Sequence, residues 1–432
     1  MAAAHRDLLH KPIRAVFLGM KFGVFYEHQL PRPWSEDDEF RLLQDALEQV
    51  VLADELGFDY AWEVEHHFLE EYSHSSAPEV FLACAAARTK RIRLGHGIRQ
   101  VIPAYNHPAR TAETLSTLDL LSDGRVDFGI GEGATRLELH GFGIEASSKR
   151  ALSLEAAEQI ANMMVMEPYP GYESESFSMP CRNVLPKPRQ KPHPPMWIAC
   201  TNRDTIKLAA RNGLGALAFS FIDPEEAKSW VDIYYDIIKS DECVPLGHSV
   251  NANIALVAGF SLHADRAEAI RRGQEGFEFF GFALNGLVAR DTTPGRSTLW
   301  SDFQKQRGQQ QEQFISDAVA AGDNYSSCIG TPDDARRYLN GMQSAGVDQI
   351  IFLQQAGRNE HADICASLEL FASKLMPEFT SLEQDRLAKK DSELAPYIAA
   401  ALSRKQRMPE LADADIPIVG ASAKRAQTSG GI

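Results

Sequence analysis

Residues 91–133 read RIRLGHGIRQVIPAYNHPARTAETLSTLDLLSDGRVDFGIGEG. Ile92–Val101 reads as a strand, His107–Leu121 as a helix and Gly124–Ile130 as the next strand. Strand, helix and strand in so short a stretch form the unit of a parallel sheet joined by a right-handed crossover. If the chain is made of such units, its fold is an α/β fold with the sheet inside.

The unit recurs in both directions. Before it lie the strand Lys21–Tyr26, the helix Glu39–Leu56, the strand Phe58–Val64 and the helix Ala77–Thr89. After it come the helix Lys149–Met166, the strand Met196–Cys200 and the helix Asp204–Asn212, stopped by Gly213. Ala216–Phe221 and Ala252–Leu262 are strands followed by the helices Pro224–Ser240 and Asp265–Phe280. Pro332–Ala345 is a helix started by Thr331 and closed by Gly346, Gln349–Gln354 a strand and Glu360–Met376 a helix. Eight strand-then-helix pairs in roughly 360 residues fit a closed (β/α)8 TIM barrel better than a doubly wound sheet.

Two insertions interrupt the series. Residues 167–194, after strand 4, are rich in Pro and polar groups and read as a loop or hairpin. Residues 281–329, after strand 7, are rich in Gly, Gln and Ser without a steady period. The barrel is expected over 20–380, an N-terminal extension over 1–19, and over 381–432 a C-terminal helix (near 383–405) followed by a mobile tail of about 20 residues.

The 432 residues carry a formal charge of −15. That balance argues against nucleic acid or an anionic membrane as a partner. No apolar run approaches the ~20 residues needed to cross a bilayer, and the N-terminus lacks a signal-peptide pattern. Six scattered cysteines form no C-x-x-C pair, which argues against a zinc ribbon or a redox dithiol. These features read as a cytoplasmic enzyme.

In such barrels the chemistry sits at the C-terminal ends of the strands. The second strand ends in Trp62-Glu63-Val64-Glu65-His66-His67-Phe68. A histidine there can give or take a proton near neutral pH. The same residues could form a structural histidine–carboxylate bond, or hold a metal. Neighbouring strand residues point to opposite faces, which counts against a metal on four consecutive ligands. Gly129-Ile130-Gly131-Glu132-Gly133 closes the fourth strand, where glycines let a flat ring or a phosphate approach the backbone, or mark an ordinary turn. Thr201-Asn202-Arg203-Asp204-Thr205 opens a helix, where a phosphate or a simple N-cap fits equally well.

In order along the chain, MKFGVF, GFDYAWEVEHHF, residues 91–133, SSKRAL, WIACTNRDTIKLAARNG and IGTPDDARRYLNGMQSAGVDQIIF resemble the bacterial-luciferase-like flavin-dependent monooxygenase family. The likeness runs from about Lys21 to Phe379. It rests most on EHHF together with NHPAR and LDLLSDGR.

The resemblance implies reduced FMN at the barrel mouth, supplied by a separate flavin reductase. It implies O2 activated as a flavin hydroperoxide that oxygenates an organic substrate. His66 matches the family's catalytic histidine. Arg150, Thr201 and Thr205 match positions around the flavin phosphate. Gly97 and Ile98 match a non-proline cis peptide under the ring, and Gly131 the place of a cysteine near it. One position departs: the family's luciferase has arginine where this chain has Glu132, and a carboxylate repels a phosphate. Arg99, Arg136 and Arg203 are alternative phosphate ligands.

Tyr26, Trp62, Phe68, Tyr105 and Phe219, with His28, Tyr72 and Phe221, are candidate walls for a hydrophobic substrate, or barrel core. Residues 281–329 take the place of the family's mobile loop, and a lid over Arg296–Gln313 would limit peroxide release. A homodimer is implied by resemblance alone. A deazaflavin-dependent dehydrogenase or reductase on the same fold, or a non-catalytic flavin-binding protein, are the alternatives.

Overall fold

In the computed structural model, residues 19–219, 221–308 and 327–420 are described. Most of the expected N-terminal extension, the last twelve residues and part of the expected lid lie outside them. Eight parallel strands close a barrel. In chain order they are β1 (Lys21–Tyr26), β2 (Tyr60–Glu63), β3 (Arg93–Gln100), β4 (Val126–Gly131), β7 (Met196–Cys200), β8 (Gly215–Ala218), β9 (Ile254–Ala258) and β12 (Gln349–Gln354). β5 (Tyr169–Glu173) and β6 (Ser178–Arg182) form the expected hairpin between β4 and β7. β10 (Phe260–Leu262) and β11 (Cys328–Gly330) pair outside the barrel, so the strand expected over Ala252–Leu262 is broken at Gly259.

Alternation sorts each strand's residues between two cores. Phe22, Val24 and Tyr26 of β1 pack outward among the helices, while Phe25 points into the barrel with Tyr60, Trp62 and Trp197. Trp62 lies between Tyr60, stacked at 5.5 Å, and Trp197, edge-on at 5.3 Å. These rings fill the barrel, so it is a packed core and no pore.

The segment after β9 corrects the sequence reading. The helix expected to end at Phe280 runs from Arg266 to Ala289, and a second helix spans Leu299–Gly308. Phe279 meets Trp300 and Phe303 at 5.0 and 5.5 Å. This packing outweighs the weak helix propensity of the glycines within residues 281–289.

The helix Glu383–Arg404 contributes Leu394 and Ala401 to the main core. Its first turns lie below the N-terminal ends of the strands. There Asp348, just before β12, accepts hydrogen bonds from Arg386 Nη1 at 2.5 Å, Lys390 Nζ at 2.6 Å, the Tyr235 hydroxyl at 2.5 Å and the Ile254 amide at 2.9 Å. Glu383 clasps the Arg386 guanidinium with both oxygens. Burial penalises the Asp348 carboxylate, but Lys390 and Arg386 hold it well below the usual carboxylate range.

Candidate active site

The C-terminal ends of β1 and β2 deliver Glu27 and His66 to the barrel mouth. His66 Nδ1 lies 2.8 Å from Glu138 Oε1, and Nε2 lies 3.6 Å from Glu27 Oε2. The His66 amide is tied to the Ser75 carbonyl at 2.8 Å. Burial opposes charge on the imidazole, but the Glu138 and Glu27 carboxylates outweigh it and raise its pKa to about 9. Burial pushes the Glu27 carboxyl up to about 7, against the pull of His66 and the Tyr72 hydroxyl at 3.1 Å. Burial also works against Glu138, yet His66, Thr135 and the His67 amide hold it below its ordinary value. At neutral pH His66 is therefore an imidazolium, with one nitrogen clamped and the other facing a carboxyl that titrates nearby.

Neither carboxylate was singled out from the sequence. Glu138 lies on the short helix Arg136–Gly141, whose cap Thr135 accepts from the Glu138 amide and donates to its side chain. Thr-x-x-Glu is a capping-box pattern, and that signal was readable. Glu27 follows Phe25 by two positions, so alternation alone turns it inward.

The remaining polar residues of the second-strand motif go to separate partners. Glu63 binds His28 at 2.7 Å and the Ser75 hydroxyl at 2.5 Å. Glu65 accepts from the Gln100 amide at 3.0 Å and Asn106 Nδ2 at 2.8 Å, and lies 3.1 Å from His67 Nε2. The EHHF and NHPAR segments are thus bonded to each other through Glu65 and Asn106. The four acidic and histidine side chains do not converge on one point.

β3 carries a cis peptide at Gly97–Ile98. Its pairing with β4 slips between His96 and Arg99. The glycines of β4 answer this strand. A Cβ on Gly129 would stand 2.1 Å from the His96 carbonyl oxygen, and one on Gly131 1.9 Å from Ile98 Cδ1. At these two positions the space that glycine leaves is taken by the protein's own third strand, and not by a ring or a phosphate.

On the side where the resemblance implies a phosphate, the polar groups are bonded to one another. Arg150 makes a two-pronged pair with Glu132 at 3.1 and 3.0 Å. Lys149 Nζ donates to the Gly133 carbonyl at 2.6 Å. The Thr205 hydroxyl accepts from the Thr201 and Asn202 amides, and the Asn202 side chain accepts from the Asp204 and Thr205 amides. The loop is a complete N-cap of its own helix. Arg203 is bound to Glu226, and Arg99 to Glu79 and Asn106; Arg136 is exposed.

The candidate pocket residues divide. Tyr26 faces Phe81 and the helical layer, and Trp62 is buried in the barrel, so neither reaches the mouth. Phe219 is half-buried, 5.2 Å from the Phe25 ring. Tyr105, His67 and Phe142 pack against one another, and Phe68 stacks on Phe142. Phe68 also borders a cleft of about 170 Å³ that runs to Leu299 and Asp302.

The family model for luciferase-like monooxygenases matches residues 20–349. This chain belongs to that family. It is 25% identical to the alkanal monooxygenase alpha chain of Photorhabdus laumondii, over 83% of this chain and 97% of that one. It is 30% identical to the oxygenase component of flavin-dependent trigonelline monooxygenase from Acinetobacter baylyi, over 45% of this chain and 52% of that one. Several of the curated relatives it matches are thus spanned over only about half their length. Among solved structures, a monooxygenase from Streptomyces bottropensis matches at TM-score 0.68 and 28% identity, covering 83% of this chain and all of the other. The oxygenating constituent of 3,6-diketocamphane monooxygenase from Pseudomonas putida, in complex with FMN, shares the fold at TM-score 0.64 and 18% identity, covering 83% and 99%. So does a tetrahydromethanopterin reductase from Methanopyrus kandleri that depends on coenzyme F420, a deazaflavin, at 0.57 and 20%, covering 84% and 99%. Among the described residues no helix is long and apolar enough to cross a membrane.

Proposed function

We propose that the chain is the oxygenase of a two-component system, using reduced FMN from a separate flavin reductase and O2 to oxygenate a hydrophobic organic substrate. One observation carries this reading: a half-buried histidine just after β2, clamped by Glu138 and faced by Glu27. Bound there, reduced flavin would supply the electrons that activate O2.

The residues fit the ring half of that cofactor better than its phosphate half. Ile98 and the backbone of β3 offer a flat apolar seat, and His66 can deliver a proton to an oxygen atom from Nε2. Glu138 keeps the imidazole oriented while it does so, and Glu27 can return the proton. On the other side, a phosphate would have to draw Arg150 away from Glu132 or bind elsewhere. That pair favours a differently anchored cofactor, and with it the deazaflavin hydride-transfer reading.

The test is reconstitution with reduced FMN or with reduced deazaflavin, followed by stopped-flow absorbance after mixing with O2. Oxygen-dependent turnover with FMN is expected. His66→Ala should keep reduced-FMN binding and lose about 100-fold or more in oxygenated product, with hydrogen peroxide released instead. Normal turnover by His66→Ala, or turnover only with deazaflavin and without O2, would overturn the proposal.

A further inference from the structure

On the outside of the barrel, far in sequence from His66, the metal-binding atoms of three side chains, Asp45, Glu48 and His361, meet between two helices, with Cys365 beside His361. Asp45 and Glu48 are one turn apart on the helix Asp38–Leu56, and His361 and Cys365 one turn apart on the helix His361–Lys374. Spacings of three and four put each pair on one helix face. His361 Nε2 is 3.6 Å from Glu48 Oε2 and 3.7 Å from Cys365 Sγ, and Nδ1 is 4.0 Å from Asp45 Oδ1. The Asp45, Glu48 and His361 ligand atoms lie within 4.8 Å of one another. Metal–ligand bonds of 2.0–2.3 Å in a tetrahedral shell put neighbouring ligands about 3.3–3.8 Å apart, so small movements bring these three together, and Cys365, 3.7 Å from the imidazole, is the fourth donor at hand.

A second observation points the same way. Gln49 is fully buried, its amide lies 3.1 Å from His361 Nδ1, and its carbonyl oxygen has no hydrogen-bond partner. Turning that amide over, which exchanges two atoms of nearly equal size, lets the oxygen accept from Nδ1–H and leaves the amide nitrogen where the oxygen now stands without a partner. Nε2 would then be left as a bare lone pair toward Glu48 and Cys365. Metal-ligating histidines are oriented by such an outer partner. A cleft of about 590 Å³, bordered by Asp45, Gln49 and His361, leads in from solvent.

We propose that Asp45, Glu48, His361 and Cys365 form a binding site for a divalent transition metal of the zinc class. Imidazole and thiolate among the donors select zinc-like ions over calcium or magnesium, which take oxygen ligands. Binding forms a metal–sulfur bond and releases the Cys365 thiol proton to solvent. The helices belong to the first and last barrel units, and β1 pairs with β12. The ion would therefore staple the seam where the barrel closes.

The test uses the tag-free full chain, stripped with chelator, then titrated with Zn²⁺ by calorimetry and with Co²⁺ by absorbance. One ion per chain, a thiolate-to-cobalt charge-transfer band and a raised melting temperature are expected. His361→Ala should abolish binding, and Cys365→Ser should remove the band and weaken affinity. Gln49→Ala should keep the band and weaken affinity about 10–100-fold. Glu48→Gln, at a largely exposed position, tests the same site without disturbing packing and should also bind more weakly. The absence of stoichiometric binding to the wild type, or affinity unchanged in both His361→Ala and Glu48→Gln, would overturn the proposal.

Discussion

At the floor of the barrel, Asp348 and Glu383 face Arg386 and Lys390, two acids against two bases. At the mouth, Glu27 and Glu138 face His66. The floor is balanced in number and closely bonded, so its carboxylate is fixed: Asp348 is driven far down and stays charged, while burial brings Lys390 down to about 8. The mouth has two carboxylates for one imidazole, and the more distant carboxylate, Glu27, titrates at about 7. Full compensation gives structure. Incomplete compensation leaves a proton that can move in the working pH range.

The largest expected effect breaks the floor. Asp348→Ala leaves Arg386 and Lys390 buried without their shared carboxylate, and should cost about 3–5 kcal/mol of stability, read by urea unfolding. Because the folded-state pKa of Asp348 is lowered, its contribution is present above the unfolded value of about 3.9 and is lost as pH falls through the folded value. The gap between variant and wild type should therefore narrow in acid; a gap independent of pH would contradict the ionic account.

Glu138→Gln asks whether the mouth is set by the short contact. The His66 pKa should fall from about 9 toward the ordinary histidine value of about 6.5, followed by NMR of the imidazole. The pH above which product formation declines should fall with it. An unmoved histidine would mean that Glu138 is not its main support. Glu27→Gln should lower the same pKa by less, since its oxygen is 3.6 Å away rather than 2.8 Å. It should also remove any ionisation near pH 7 from the activity profile. Equal shifts in the two variants would erase the distinction between clamp and proton carrier.

The floor and the mouth were unequally legible. Strands such as Lys21–Tyr26 and Gln349–Gln354 announce themselves because one strand buries both faces, and apolar runs of that length leave few other readings. His66 was visible because a histidine pair at a strand end is unusual chemistry. Its partners were not, since Glu138 lies 72 residues away and only the closed barrel brings it back. Tyr26 was misplaced relative to the mouth for the opposite reason: its neighbour Phe25 is equally apolar, so the face of the strand is fixed by packing and not by composition. The helix through Gly281 and Gly286 was hidden by its glycines, whose cost is offset by contacts with Trp300 and Phe303. Asp45 and His361 lie 316 positions apart, and no local pattern joins them.

The floor has a further consequence, in time. Asp348 precedes the last barrel strand, but its cations arrive 38 and 42 residues later. During synthesis at about 5–20 residues per second, β12 emerges seconds before Arg386 and Lys390. Until they follow, seating that strand buries a carboxylate without its cations, held by the Tyr235 hydroxyl and the Ile254 amide, so the barrel can be laid out early but is neutralised at its floor by residues translated after its last strand.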